Sequence, residues 1–252
     1  MIDQSLEQGD SLIHRIDPRI RIIAALCLSI TAALCNHPAI AAGFVGISMI
    51  LVLMAKLSAG QVLVRLKPLL WFLLMMWVFL PLTFTEDIVY RYGWLTVSRA
   101  GILLSAMITL KSIGILMTFT ALLATMPVAT LGAGLHQIRV PDKLVFLLLM
   151  TYRYIAVIRQ EYNRLMRAAR FRGFRPGTNL HSYRTYAYLA GMLFVRASHR
   201  ADRVFQAMRC RGFTGRFRSL DVYTADGIHI GFLMICAGAG IGLIIAERFW
   251  LN

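Results

Sequence analysis

"GILLSAMITLKSIGILMTFTALLATM", residues 101–126, decides what kind of protein this is. The segment holds one ionisable side chain, Lys111, and no proline. As a helix rising about 1.5 Å per residue it is long enough to cross roughly 30 Å of bilayer hydrocarbon, which takes about 20 residues. The rest of the chain agrees. Of 252 residues, 58% are hydrophobic and 15% charged, with a mean hydropathy of +0.64; soluble domains average about one half and one quarter. The sequence therefore reads as an all-α integral membrane protein.

Working outward, apolar runs recur at Ile22–Cys35, Ala39–Ala55, Leu69–Phe84 and Ile228–Ala246. The "NHP" at 36–38 separates the first two, because Pro38 lacks a backbone donor and disfavours helix at His37. We expect two short spans and an outer turn there; one kinked helix is the alternative. With 101–126 this makes about five spans, with an outer loop around Glu86, Asp87, Arg91 and Arg99. The first run is expected to be a retained helix rather than a signal peptide, since Asp3, Glu7 and Asp10 give its leading segment the wrong charge.

The formal charge of +15 is unevenly placed. Of 27 Lys and Arg, 17 lie between Arg139 and Arg218, opposed by Asp142, Glu161, Asp202, Asp221 and Asp226 in the segment 127–226, a net +12. Basic flanks face the cytoplasm in multi-pass proteins, and Arg15, Arg19, Arg21, Lys56, Arg65 and Lys67 fit the same scheme. The expected organisation is a membrane region at 1–126 with four spans, a cytoplasmic region of amphipathic helices at 127–226, and a final span at 227–252, in a bacterial inner membrane.

Within the basic region, Ile155, Ile158, Tyr162, Leu165, Met166 and Ala169 recur at helical spacing, and so do Tyr186, Leu189, Leu193, Ala197, Ala201, Val204, Phe205 and Met208. Both stripes run into one phrase: "AARFRGF" at 168–174 and "AMRCRGF" at 207–213, that is, Ala-x-Arg-x-Arg-Gly-Phe. Each glycine, Gly173 and Gly212, is placed to close its helix. Arginine near a helix C-terminus gains a few tenths to about 1 kcal/mol from the macrodipole, which accounts for one copy alone. Two matched copies ask for more. Ala168 and Ala207, one turn before Arg172 and Arg211, leave each guanidinium free to enter a groove, and its planar fork suits a carboxylate.

At this point the chain resembles the transmembrane T component of energy-coupling factor (ECF) transporters, the CbiQ family. The paired arginine-glycine phrases carry the likeness, joined by "HRIDPRIRII" (14–23) and "VPDKLVFLLLMTYRYIAVI" (140–158), so that it covers about residues 11–218. The resemblance implies a non-catalytic, cofactor-free subunit standing between two ATP-binding subunits and a membrane substrate-capture subunit. It also implies that the amphipathic helices are coupling helices whose Arg172-Gly173 and Arg211-Gly212 pairs, supported by Ala168, Ala207, Arg170 and Arg209, engage the ATPases. The family commonly has alanine before the central arginine; here Phe171 and Cys210 stand there. The wording is most similar to the cobalt subgroup, with nickel close behind and a vitamin as a further alternative.

Other readings are weaker. Lys111 has no acidic partner inside a span and is expected to face the protein interior or snorkel. No G-x-x-x-x-G-K-[ST] stretch is present, so the chain is not expected to bind ATP by that route and needs a partner to supply energy. The "CNH" at 35–37 offers two metal ligands, too few for a cage. Gly238 and Gly242 inside the last span, four apart, suit close helix packing. The basic region could also hold anionic lipid; nucleic acid is not expected, because Tyr152, Tyr154, Phe171 and Phe174 follow helical and cap positions rather than a stacking platform.

Overall fold

The computed structural model describes residue 13 and residues 16–83, 88–92, 95–213 and 227–250. Asp3, Glu7, Asp10, Arg15, Phe84, Glu86, Asp87, Arg216, Arg218, Asp221 and Asp226, used in the sequence reading, lie outside the described residues. The fold is all-α apart from one short hairpin. The helices are α1 (Pro18–Leu34), α2 (Pro38–Met54), α3 (Ala59–Thr83), α4 (Arg99–Leu122), α5 (Val128–Gln137), α6 (Asp142–Phe171), α7 (Leu180–Cys210) and α8 (Gly227–Trp250). Strands β1 (Ile88–Tyr92) and β2 (Leu95–Ser98) pair antiparallel between α3 and α4, where a loop was expected. The chain divides into two compact units, one of residues 1–134 with 221–252, the other of residues 135–220.

In the first unit α4 packs against α1, α2 and α3, and α8 lies against α1 and α2. Its core is small and aliphatic, with Ala24, Ala25, Leu28, Ala32, Phe44, Leu51 and Leu122 all buried. Small residues set the approach distances, as expected where lipid supplies no hydrophobic drive between helices. A Cβ on Gly114 would meet the Phe44 ring at 2.6 Å, and one on Gly101 would meet Pro81 Cα at 2.8 Å. In α8 the contact falls on Gly240, 3.1 Å from Thr31 Oγ1 by the same construction, whereas Gly238 and Gly242 face open space. This corrects the expectation that Gly238 and Gly242 mediate packing: the buried face of α8 is set by Phe232, Cys236 and Gly240, and those two glycines lie off it.

Among the described residues three helices, α3, α4 and α8 over Gly231–Arg248, are long and apolar enough to cross a membrane, and α2 is a shorter apolar helix. The 17 residues of α1 and of α2 correspond to about 25 Å each. The break between them is complete: α1 ends at Leu34 and α2 restarts with Pro38 in its first turn. The intervening Asn36 N–H donates to Glu247 Oε1 of α8 (2.6 Å), and Lys111 Nζ donates to Ala33 O (3.0 Å) at the same end of α1. Lys111 thus satisfies a carbonyl that the helix end leaves orphaned. Glu247, absent from the sequence argument, is buried.

The start of α1 is fixed by Asp17, 2% exposed, which accepts the Arg19 backbone N–H at 2.9 Å and the Arg19 guanidinium at 3.0 Å. Pro18 occupies the first helical turn, where its missing donor costs nothing. Arg21, 3% exposed, is the more consequential residue. Its Nε donates to Leu122 O at 2.9 Å and its Nη2 to the Thr125 hydroxyl, so a guanidinium from α1 caps the C-terminus of α4. The "DPRIR" of the sequence is a folding device.

Candidate functional site: two matched arginine caps

The second unit is built on α6 and α7. The first turns of α6, including Leu144–Met150, continue without interruption into the amphipathic stretch as one 30-residue helix. Asp142 sits in its first turn, favourable to the macrodipole, with its Oδ1 3.0 Å from His136 Nε2. α7 opens on Asn179, whose side chain accepts the Ser182 N–H at 2.9 Å, while the Ser182 hydroxyl accepts Gly177 N–H at 3.1 Å.

Both helices end alike. At the end of α6, Phe174 N–H donates to Ala169 O (3.1 Å) and Gly173 N–H to Arg170 O (3.0 Å). At the end of α7, Phe213 N–H donates to Met208 O (3.0 Å) and Gly212 N–H to Arg209 O (3.0 Å). These are the two bonds of a Schellman motif, written twice. The dihedrals match: Arg172 at φ −86, ψ 14 and Arg211 at φ −91, ψ 12, with Gly173 at φ +85 and Gly212 at φ +79. A Cβ on either glycine would meet nothing within 4 Å. Glycine is required there by backbone conformation and not by space.

The cap aims the side chains. Arg170, Arg172, Arg209 and Arg211 are exposed, as are Ala168, Ala207, Gly173 and Gly212. Phe171 is 91% exposed, and Cys210 is an exposed free thiol. Among the described residues no carboxylate pairs with Arg172 or Arg211. The phenylalanines do the reverse and anchor the caps. Phe174 is buried edge-on against Tyr186, ring centroids 5.6 Å apart, and Phe213 lies 5.4 Å from Phe146.

Those contacts fix the relation of the caps. Phe174 ties the end of α6 to the start of α7, Phe213 ties the end of α7 to the start of α6, and between them Arg196 donates to Glu161. The pair is an antiparallel hairpin, and Arg172 and Arg211 stand at its opposite ends, roughly 45 Å apart from the length of α7. The sequence places the arginines at two helix ends, and a linker of only eight residues between α6 and α7 makes those ends opposite. The Glu161–Arg196 pair, 35 positions apart, has no local spacing that would announce it in the sequence. The Arg196 hydrogen bond holds the Glu161 carboxyl below the usual carboxylate range, with the nearby Arg164 and Arg200 acting the same way.

Among the described residues no cluster of three His, Cys, Asp or Glu is disposed to hold a metal ion. The Cys35–His37 turn serves instead as the joint between α1, α2 and α8.

Apolar helices long enough to cross a membrane, several to one chain, define a multi-pass cell-membrane protein, and its helix hairpin presents exposed guanidinium groups at both tips. Residues 9–222 match the model of the CbiQ family, described as "Cobalt transport protein". The chain belongs to that family and is the transmembrane T component of an ECF transporter. Its relatives include the energy-coupling factor transporter transmembrane protein EcfT of Acidaminococcus fermentans, 30% identical, covering 90% of each chain. The EcfT of Brevibacillus brevis is 27% identical over 96% of this chain and 95% of its own. That of Lacticaseibacillus paracasei is 27% identical over 91% and 93%.

Proposed function

We propose that this T component transmits the motion of two ATP-hydrolysing subunits to a membrane substrate-capture subunit. In this reading Arg172 and Arg211 each seat in an acidic groove of one ATPase, with Arg170, Arg209, Ala168, Ala207, Gly173 and Gly212 shaping the plug. One observation supports it above the others: two free, exposed arginines carried by the same Schellman geometry at opposite ends of one helix hairpin. A rod with a plug at each end can hold two motor subunits at once, and their closure on ATP then tilts or rotates it. The segment 127–226 is proposed to lie in the cytoplasm, between four helices at 1–126 and the last one at 227–252.

For the cargo we propose cobalt ion, on the family description and the "HRIDPRIRII" and "TYRY" wording, with nickel as the close alternative and a vitamin as the third. The test expresses the chain with its partner subunits and measures ATPase co-purification and uptake of radiolabelled cobalt, nickel and vitamin. Arg172→Ala combined with Arg211→Ala is expected to insert normally and to lose both the ATPases and uptake, because a groove carboxylate left buried without its arginine costs several kcal/mol, about 3–5. Uptake at the wild-type rate by that double variant refutes the coupling role.

A further inference from the structure

We propose that the hairpin carries a binding site for one anionic phospholipid, along the face where the first half of α6 meets the second half of α7. The site has two continuous parts. The first is a groove of about 440 Å³, lined by Phe146, Met150, Ile158, Leu193, Val204 and Met208 among others, almost wholly apolar. That volume lies within the range of about 300–1,000 Å³ usual for ligand pockets. The second is an open cleft of about 560 Å³ bearing Arg164, His199, Arg200 and Arg203. Glu161, Arg196 and Arg200 line both, so the apolar trough opens directly into the cationic cleft.

The charges at that junction select the ligand. Glu161 is matched by Arg196, which donates to it. Asp202 lines the cleft, yet among the described residues neither it nor any other carboxylate forms an ion pair with Arg164, Arg200 or Arg203. Three guanidinium groups beside one unpaired carboxylate make a net positive mouth. An apolar channel with a positive mouth fits an amphiphile with a hydrocarbon tail and a phosphate head, since guanidinium pairs with phosphate through two parallel bonds. A free phosphate would use the mouth and ignore the trough; a zwitterionic lipid would fill the trough while its own ammonium offsets the pairing. The coupling arginines Arg172 and Arg211 line neither cavity, so the site is independent of the coupling reading.

The test is native mass spectrometry of the full chain in mild detergent, titrated with phosphatidylglycerol or phosphatidylcholine of the same chain length. Wild type is expected to retain phosphatidylglycerol preferentially at a one-to-one ratio. Arg200→Ser with Arg203→Ser is expected to weaken phosphatidylglycerol binding roughly 30-fold, the effect of removing two interfacial cations, and to leave phosphatidylcholine unchanged. Ala201→Trp, which fills the trough and keeps the cations, is expected to abolish retention of the long-chain lipid; both variants are checked for wild-type helicity by circular dichroism. Equal retention of the two lipids by wild type overturns the proposal, as does unchanged phosphatidylglycerol binding in either folded variant. Displacement of the lipid by glycerol phosphate at matched concentration also overturns it, because the trough would then contribute nothing.

Discussion

Replacing Gly173 by alanine isolates what the helix cap does. The residue stands at φ +85, and a Cβ built there meets nothing within 4 Å, so the substitution introduces no clash and removes no contact. What remains is the cost of holding an L-residue in the left-handed region, about 1–2 kcal/mol. Against it stand two hydrogen bonds, Phe174 N–H to Ala169 O and Gly173 N–H to Arg170 O. A cost near the lower limit lowers the closed-to-open ratio of the cap by about fivefold to tenfold, using 1.4 kcal/mol per decade. The readout is amide hydrogen exchange. Protection of the Phe174 and Gly173 amides should fall by that factor in Gly173→Ala, with the middle of α6 unaffected. Gly173→Asn should recover most of it, since asparagine tolerates this region better than alanine does. On the proposed coupling role, partner binding falls only as far as the closed fraction of the cap falls, so it is affected less than the amide protection. Unchanged exchange in Gly173→Ala, or equal damage from asparagine, would refute the reasoning, and Gly212 offers an independent repeat at φ +79.

Other consequences can be checked on the same protein. Arg21→Met leaves Leu122 O and the Thr125 hydroxyl without their buried donor; a loss of about 1–3 kcal/mol is expected, seen as a lower Tm in detergent. Gly114→Leu drives a side chain into the Phe44 ring and should cost about 1–3 kcal/mol by overpacking, relieved by adding Phe44→Ala, while Gly242→Ala on the open side of α8 should leave Tm unchanged. Glu161 has its carboxyl held low by Arg196, so its contribution to the α6–α7 contact is present above the unfolded value of about 4.3 and disappears as pH falls through the lower folded value. Fluorescence transfer between labels on α6 and α7 should report loosening in that acid window, and Glu161→Gln should remove the pH dependence.

Much of this architecture is legible in the sequence because each signal is local. A long apolar run with one lysine must become a membrane helix, since nothing else satisfies its backbone in hydrocarbon. Pro38 after Asn36 and His37 breaks a helix wherever it stands, and a glycine after an arginine-rich last turn closes one. The repeated Ala-x-Arg-x-Arg-Gly-Phe phrase therefore specifies two alike helix ends by itself. Contacts between residues far apart in the chain follow no such spacing, and only the tertiary structure decided them. It set Arg21 on the end of α4, Glu247 on the Asn36 amide and Gly240, rather than Gly238 and Gly242, against Thr31. Phe174 and Phe213 likewise turned inward to lock the hairpin while Arg172 and Arg211 stayed exposed at its opposite ends. Local backbone preference writes the elements; which of their faces meet is settled by burial across long sequence separation, and one strand of letters does not display that.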